Sequence, residues 1–178
     1  TVDDKARDFI NKAHEAAQHL GRLFQDLLDV SKSEDGRMTN NPRVTDVTAL
    51  AGSVVDGLRA KATEKGLQLN FTPTAQRALK TFTPLYFVNQ DTDHIREILD
   101  NLIENAIKYT PQGEVTVDVQ SVTEDKVTVS VKDSGLGIPP EDVPHLFQKF
   151  YRVNNVVRQS IGGTGLGLYL SRRLAEGM

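Results

Sequence analysis

The opening stretch of the chain repeats apolar side chains at alternating spacings of three and four: Ile10, Ala13, Ala17, Leu20, Phe24 and Leu27. That spacing lines up one seam on a helix. Phe9, Ala16, Leu23 and Leu28 broaden the seam, while Asp3, Asp4, Lys5, Lys12, Glu15, Gln18, Arg22 and Gln25 take the opposite side. A helix packed on its own domain would read similarly, but a stripe so wide favours a bundle helix, with a partner from another segment or another copy because no second heptad helix follows. Ser31 to Asn41 is polar, punctuated by Gly36 and followed by Pro42, and reads as a linker. Asp46 is a predicted N-cap for a helix whose face is Val47, Leu50, Ala51, Val54, Val55 and Leu58, ending before Gly66.

Beyond Gly66 the period changes to two. Leu67, Leu69 and Phe71 predict a strand, residues 72 to 84 a loop or irregular edge, and Leu85 to Val88 a short strand. A strong helix follows from about Asp93 to Tyr109, with Ile95, Ile98, Leu99, Leu102, Ile103, Ala106 and Ile107 facing inward, and Pro111-Gln112-Gly113 stops it. Val115, Val117 and Val119 predict one strand and Val127, Val129 and Val131 its hairpin partner, turning at Thr123 to Lys126. A short helix around Glu141 to Phe150 and a last helix from about Gly165 to Glu176 complete the pattern. The predicted fold class is α+β: a two-layer sandwich of a mixed sheet and helices, preceded by a long amphipathic bundle helix.

Composition then removes whole classes of function. The 178 residues contain no cysteine, so disulfides, thiol catalysis and thiolate metal sites are excluded. A net charge of −3 and a pI near 5.8 carry no nucleic-acid footprint. No apolar run approaches the ~18 residues of a membrane span, and no basic-then-apolar signal segment opens the chain. It begins at Thr1, which leads us to expect a piece of a longer protein.

Three segments depart from ordinary structural economy. In Asn101-Leu102-Ile103-Glu104-Asn105-Ala106-Ile107-Lys108-Tyr109, Asn101, Asn105 and Lys108 share a helix face, so two amides and an ammonium stand beside the apolar side. Amide oxygens suit Mg²⁺ already held by phosphates, and an ammonium can neutralise a phosphate; a plain solvated face would read the same way. Asp133-Ser134-Gly135-Leu136-Gly137-Ile138-Pro139 directly follows a strand. A carboxylate there can accept from an exocyclic amine, and its glycines permit close approach to a flat ring, although a tight turn would use the same residues. Gly162-Gly163-Thr164-Gly165-Leu166-Gly167-Leu168 places four glycines in six positions ahead of a helix, an anion cradle of free N–H groups or a loop without a ligand. Neither GxxxxGK[ST] nor a strand followed by GxGxxG matches it.

Taken in order, these segments resemble the sensor histidine kinases, whose ATP-binding fold is shared with Hsp90, type II topoisomerases and MutL. The resemblance rests on the N box NLIENAIKYT, the glycine box DSGLGIP, the phenylalanine box LFQKFYR and the second glycine box GGTGLGL, and runs from about Val44 to Glu176. The helix ending DLLDVSKSEDGR is similar to the second helix of the family's dimerisation hairpin. The resemblance thus implies a hairpin helix at 1–32, a linker at 33–43 and an ATP-binding catalytic domain at 44–178. It implies that Asn105 holds Mg²⁺, that Asn101 lies near the phosphates or the metal, that Lys108 contacts phosphate and that Tyr109 flanks the nucleotide. Asp133 would bond the adenine amine of ATP or ADP, with Gly135 and Gly137 shaping its pocket. Gly163, Thr164, Gly165, Leu166 and Gly167 would bind phosphates. Residues from about Ile138 to Thr164 would form a lid anchored by Phe147 and Phe150, with Lys149 and Arg152 reaching the γ-phosphate or steering the lid.

The implied reaction carries the γ-phosphoryl group to a histidine and then to an aspartate of a response-regulator receiver domain, within a cytoplasmic homodimer joined to a membrane only through parts outside this chain. The acceptor should lie in His-Glu/Asp-x-x-x-Pro on a preceding helix. His14-Glu15 opens that pattern, but His19 stands where proline is required, and His19, His94 and His145 lack the motif. We therefore expect no acceptor among these residues and no self-phosphorylation. The family's final strand pair, after the last helix, is likewise expected to be missing. The alternatives are an ATPase switch of the same fold or a non-catalytic nucleotide-binding module. Against the switch, Asn101 stands where a water-activating Glu would precede the metal-binding Asn, and Glu104 points about 100° away from Asn105.

Overall fold

The computed structural model describes residues 4–73, 85–123, 126–153 and 162–178, without the side chains of Asp4, Lys5, Glu15, His19, Arg22 and Val122. The expected loop at 74–84, the tip of the hairpin at 124–125 and the lid residues 154–161 lie outside the described residues. The chain forms two units, Thr1–Met38 and Thr39–Met178.

The first unit is helix α1, Asp4–Glu34. It continues past Ser31, where the linker was expected to begin. Lys12–Asp8 at 2.7 Å and Lys32–Asp29 at 3.1 Å bridge successive turns along its surface. Its end is built by Gly36 at φ +65°, with the Arg37 N–H donating to the Lys32 carbonyl at 2.8 Å and the Gly36 N–H to the Ser33 carbonyl at 3.3 Å. That pair of bonds satisfies two carbonyls the helix leaves open.

The second unit follows the order β1 (Pro42–Asp46), α2 (Val47–Glu64), β2 (Gln68–Phe71), β3 (Phe87–Asp91), α3 (Thr92–Tyr109), β4 (Glu114–Thr123), β5 (Lys126–Asp133) and α4 (Gly167–Gly177). Strands β1 and β3 form an antiparallel pair, and β2–β4–β5 form a mixed sheet, parallel between β2 and β4 and antiparallel between β4 and β5. Alternation on β4 sends Val115, Val117 and Val119 inward, each fully buried. They meet Val54 and Val55 of α2 and Leu99, Ile103 and Ile107 of α3 in one continuous core. Helices therefore cover one face of the strands, while Thr128, Ser130 and Lys132 of β5 are exposed on the other, the expected α+β sandwich.

Asp46 caps α2 as expected, accepting from the Thr48 and Ala49 N–H groups at 2.9 and 3.2 Å. Asp91 caps α3 in the same way through Asp93 and His94, at 3.0 and 3.2 Å. Its second oxygen accepts the Asn41 N–H at 2.7 Å, and this bond, ahead of the others, holds the Asp91 carboxyl below the usual aspartate range.

Three expectations need correction. Strand β1 was not foreseen, because it buries the polar Thr45 and exposes Val44, inverting the usual cue. The second short strand begins at Phe87, not Leu85, and runs to Asp91. The helix expected at Glu141 to Phe150 is a single 3₁₀ turn, Val143–His145. Pro144 contributes no N–H to it, and Phe150, at φ +61°, turns the chain out of helical geometry.

Candidate functional site

Helix α3 has two chemically distinct sides. Its apolar side is the core described above. On the other, half-buried side stand Asn101, Asn105 and Lys108, one turn apart. The Asn105 Nδ2 donates to Asn101 Oδ1 at 3.2 Å, and the Asn101 Nδ2 donates to Ser171 Oγ of α4 at 2.7 Å. Asn101 is thereby engaged at both ends of its amide and ties α3 to α4. The Asn105 Oδ1 has no partner among the described residues. That oxygen is the open acceptor of the row, and a neutral, hard donor of this kind fits Mg²⁺ arriving with phosphates. No group of three acidic or imidazole side chains able to hold a metal occurs among the described residues.

The second glycine segment lies against this row. A methyl group on Gly163 would come within 2.6 Å of the Lys108 Nζ, and one on Gly167 would run into the Asn101 amide oxygen. Gly165, at φ +74°, would press a methyl to 2.7 Å from the Phe150 backbone, whose N–H donates to the Gly165 carbonyl at 3.0 Å. Glycine is required at Gly165 by its positive φ and the Phe150 backbone, and at Gly167 by the Asn101 amide, whereas at Gly163 the flexible Lys108 side chain could move aside. Thr164 Oγ1 accepts the Leu166 N–H at 3.1 Å and shapes the entry to α4. That helix starts at Gly167, two residues later than expected, because the positive φ of Gly165 is incompatible with a first helical turn.

The first glycine segment closes on the end of the same helix. Asp133 ends β5, exposed, and its Oδ1 accepts the Gly135 N–H at 2.9 Å. A methyl on Gly135 would lie 2.6 Å from the Tyr109 carbonyl oxygen and 2.9 Å from Thr110 Oγ1. The next residue, Leu136, donates its N–H to that same Tyr109 carbonyl at 3.2 Å. Gly137, exposed, has φ +60°. Gly135, Gly163 and Gly167 thus lie against the second half of α3, whereas no close neighbour places exposed Gly137 there.

Lys149 and Arg152 sit differently. The Lys149 Nζ lies 5.3 Å over the ring of Tyr169 on α4, and Arg172 lies 5.8 Å over the ring of Phe147, so cation–π contacts hold this segment to α4. Arg152 is exposed. Tyr151 donates a hydrogen bond to Asp142, which favours the protonated phenol and raises the tyrosine pKa above its ordinary value. Among the histidines, His14 contacts Gln18 on the surface of α1, His94 lies 3.9 Å from Asp91, and His145 packs beside Tyr151. The side chain of His19 lies outside the described residues.

Sequence reasoning missed Lys65, Thr110 and Ser171. Lys65 donates from Nζ to the carbonyls of Ile107 and Lys108 at 2.7 and 2.6 Å. Thr110, buried, donates to the Ala106 carbonyl at 2.7 Å. Lys65 and Ser171 act across contacts far apart in the chain, which no local pattern encodes, whereas Thr110 makes a local bond one turn back along α3.

The sequence profile of the family described as histidine kinase-, DNA gyrase B- and HSP90-like ATPase matches residues 90–178. The chain is 34% identical over 98% of its length to the circadian input-output histidine kinase CikA of Synechococcus elongatus. It is 34% identical over 96% of its length to the aerobic respiration control sensor protein ArcB of Escherichia coli. It spans 22% and 21% of those relatives, about a fifth of their length. Among solved structures, full-length ShkA in complex with AMPPNP matches all of the chain with a TM-score of 0.80 and 25% identity, and the chain covers 35% of it. The Acinetobacter baumannii histidine kinase AdeS shares the fold at a TM-score of 0.71 and 22% identity, with 76% of that chain covered.

Proposed function

The chain belongs to the histidine kinase-, DNA gyrase B- and HSP90-like ATPase family, and we propose that it is the ATP-binding catalytic part of a sensor histidine kinase. The reaction would break the bond between the γ-phosphorus and its bridging oxygen and join that phosphorus to a histidine nitrogen outside these 178 residues. The phosphoryl group would then pass to an aspartate of a response-regulator receiver domain. One observation carries this reading: Gly163 and Gly167 lie so close to Lys108 and Asn101 that backbone N–H groups, an ammonium and two amides form one polar cradle. Phosphoryl transfer depends mainly on positioning and charge neutralisation, which is what such a cradle supplies.

Within it, Lys108 and the N–H groups of Gly163, Gly165 and Gly167 would hold phosphates, with Thr164 and Leu166 shaping the loop through their own bond. Asn105 Oδ1 would take Mg²⁺, which supplies neutralisation of the charge on the phosphate oxygens, and Asn101 would fix the Asn105 amide. Asp133 would accept from the adenine amine, with Gly135, Gly137 and Tyr109 bordering the base. Lys149 would leave the face of Tyr169 to reach the γ-phosphate, and Arg152 would assist it. The exposed stripe of α1 supports a helical bundle, hence a homodimer, with residues 1–32 as the second helix of its hairpin. No described helix is long and apolar enough to cross a membrane. The likeness to sensor kinases supports placing this part in the cytoplasm, with any membrane contact made by other parts of a longer protein.

The test is a phosphotransfer assay with γ-labelled ATP, this chain and a separately supplied acceptor hairpin of a relative. Label should appear on the hairpin and not on residues 1–178. Stable label on the chain itself would defeat the absent-acceptor reading, and hydrolysis without transfer would favour an ATPase switch.

A further inference from the structure

The last turn of any helix leaves carbonyl oxygens without intrahelical partners. In α3 these belong to Ala106, Ile107, Lys108 and Tyr109, the residues that frame the proposed nucleotide site. Their side-chain and loop partners come from three places. Thr110 Oγ1 takes Ala106, Lys65 Nζ takes both Ile107 and Lys108, and the Leu136 N–H of the first glycine segment takes Tyr109. Of the three, only Lys65 comes from an element with no part in that site.

Its placement is fixed by its own helix end. Lys65 is the C-cap of α2, followed by Gly66 at φ +72°. The Leu67 N–H donates to the Ala62 carbonyl and the Gly66 N–H to the Thr63 carbonyl, both at 2.9 Å, and buried Leu67 anchors the turn in the core. One turn earlier, Lys61 pairs with Glu104 at 2.7 Å, so the end of α2 is strapped to α3 at two successive levels. The Lys65 ammonium sheds part of its hydration to reach the carbonyls, which lowers its pKa from the ordinary lysine value. A cation at a helix C-terminus also opposes the partial negative charge gathered there.

We propose that Lys65 is a positioning residue for the nucleotide site: its two bonds fix the terminal turn of α3, and with it Lys108, Tyr109 and the Gly135 loop seated on the Tyr109 carbonyl. The inference rests on the nucleotide-binding reading above. Without Lys65, two carbonyls beside the phosphate-binding ammonium lose their cation, and the turn carrying Lys108 and Tyr109 can open toward water.

Calorimetric titration of the 178-residue chain with Mg-ADP and with a non-hydrolysable ATP analogue tests this. Lys65→Met should weaken binding on the order of tenfold. Lys65→Arg, which keeps a cation and several donors, should restore most of it, and Lys61→Met should leave affinity within about twofold. If Lys65→Met does not fold, Lys65→Gln is compared with Lys65→Arg instead. Equal affinity of wild type and the Met or Gln variant would overturn the role of Lys65, as would failure of Arg to rescue. A wild-type chain that binds neither nucleotide would instead defeat the nucleotide reading, and this inference with it.

Discussion

Helices α1 and α3 are amphipathic with closely similar spacing, three and four residues between successive apolar positions. On α3 that stripe is a core: Leu99 is 3% exposed, Ile107 1% and Ile103 0%. On α1 it is open: Phe9 is 73% exposed, Leu20 67% and Phe24 64%. Periodicity therefore states that a face must be covered and leaves open by what. The polar sides differ as well. That of α1 carries exposed intrahelical pairs such as Lys12–Asp8, worth only a few tenths of a kcal/mol each, about 0.3–0.5. That of α3 is bound into other parts of the chain through Asn101 and Glu104, and its N-cap Asp91 is bound to the Asn41 N–H.

The sharpest break between the two helices should come from truncating each stripe. Ile103→Ala removes a fully buried side chain ringed by the valines of β4 and should cost about 2–5 kcal/mol in a denaturant melt. The same truncation at exposed Leu20 should move that melt by less than about 0.5 kcal/mol. Equal losses would show that α1 is part of the same cooperative core.

Next in size are effects on the polar side of α3. Asn105→Ala should remove most of the Mg²⁺ dependence of nucleotide binding while costing the melt no more than about 1 kcal/mol, the worth of the single bond its Nδ2 gives to Asn101 Oδ1. An unaltered Mg²⁺ response in calorimetry would assign the metal to another ligand. Asp133→Asn should weaken adenine nucleotides more than it affects phosphate alone, since it turns an acceptor toward a donor at the proposed amine contact.

The cap of α3 offers a smaller, pH-dependent difference. Asp91→Ala should cost about 1–2 kcal/mol at neutral pH. The folded Asp91 carboxyl is held below the ordinary aspartate value, chiefly by the Asn41 N–H. A depressed folded pKa gives stability that is present above the unfolded value of about 3.9 and is lost as pH falls through the folded one. The wild-type chain should therefore lose its advantage over Asp91→Ala between about pH 4 and the lower folded pKa. A constant difference between the two melts across that range would remove Asp91 as the source.

These comparisons also explain what could be read in advance. The core of α3 and β4 was legible because Ile103, Ile107, Val115, Val117 and Val119 obey one period each without interruption. The glycine segments were legible because so many glycines in a short run carry an entropic cost with no local return. Strand β1 was not, since its buried residue is Thr45 and its exposed one Val44. The turn at Val143–His145 was misread as a helix because Leu146, Phe147 and Phe150 have helical spacing, yet Phe147 and Phe150 are exposed, and Phe147 meets Arg172 of α4. Lys65 was invisible because a lysine after a helix carries no sign of a target 42 residues away.

The smallest effect on folding should be the most informative about α1. Phe24→Ser replaces an aromatic ring on the open stripe, so the melt of the second unit should shift by less than about 0.5 kcal/mol. If that stripe is instead a bundle interface between copies, the variant should weaken self-association, because a large aromatic at the seam contributes far more buried area than serine. Sedimentation over a range of concentrations separates these quantities, with wild type dissociating at lower concentration than the variant. A wild-type chain monomeric at every concentration, or a variant that associates as well as wild type, would break the link between the α1 stripe and dimerisation. The contrast with α3 would then rest on packing alone.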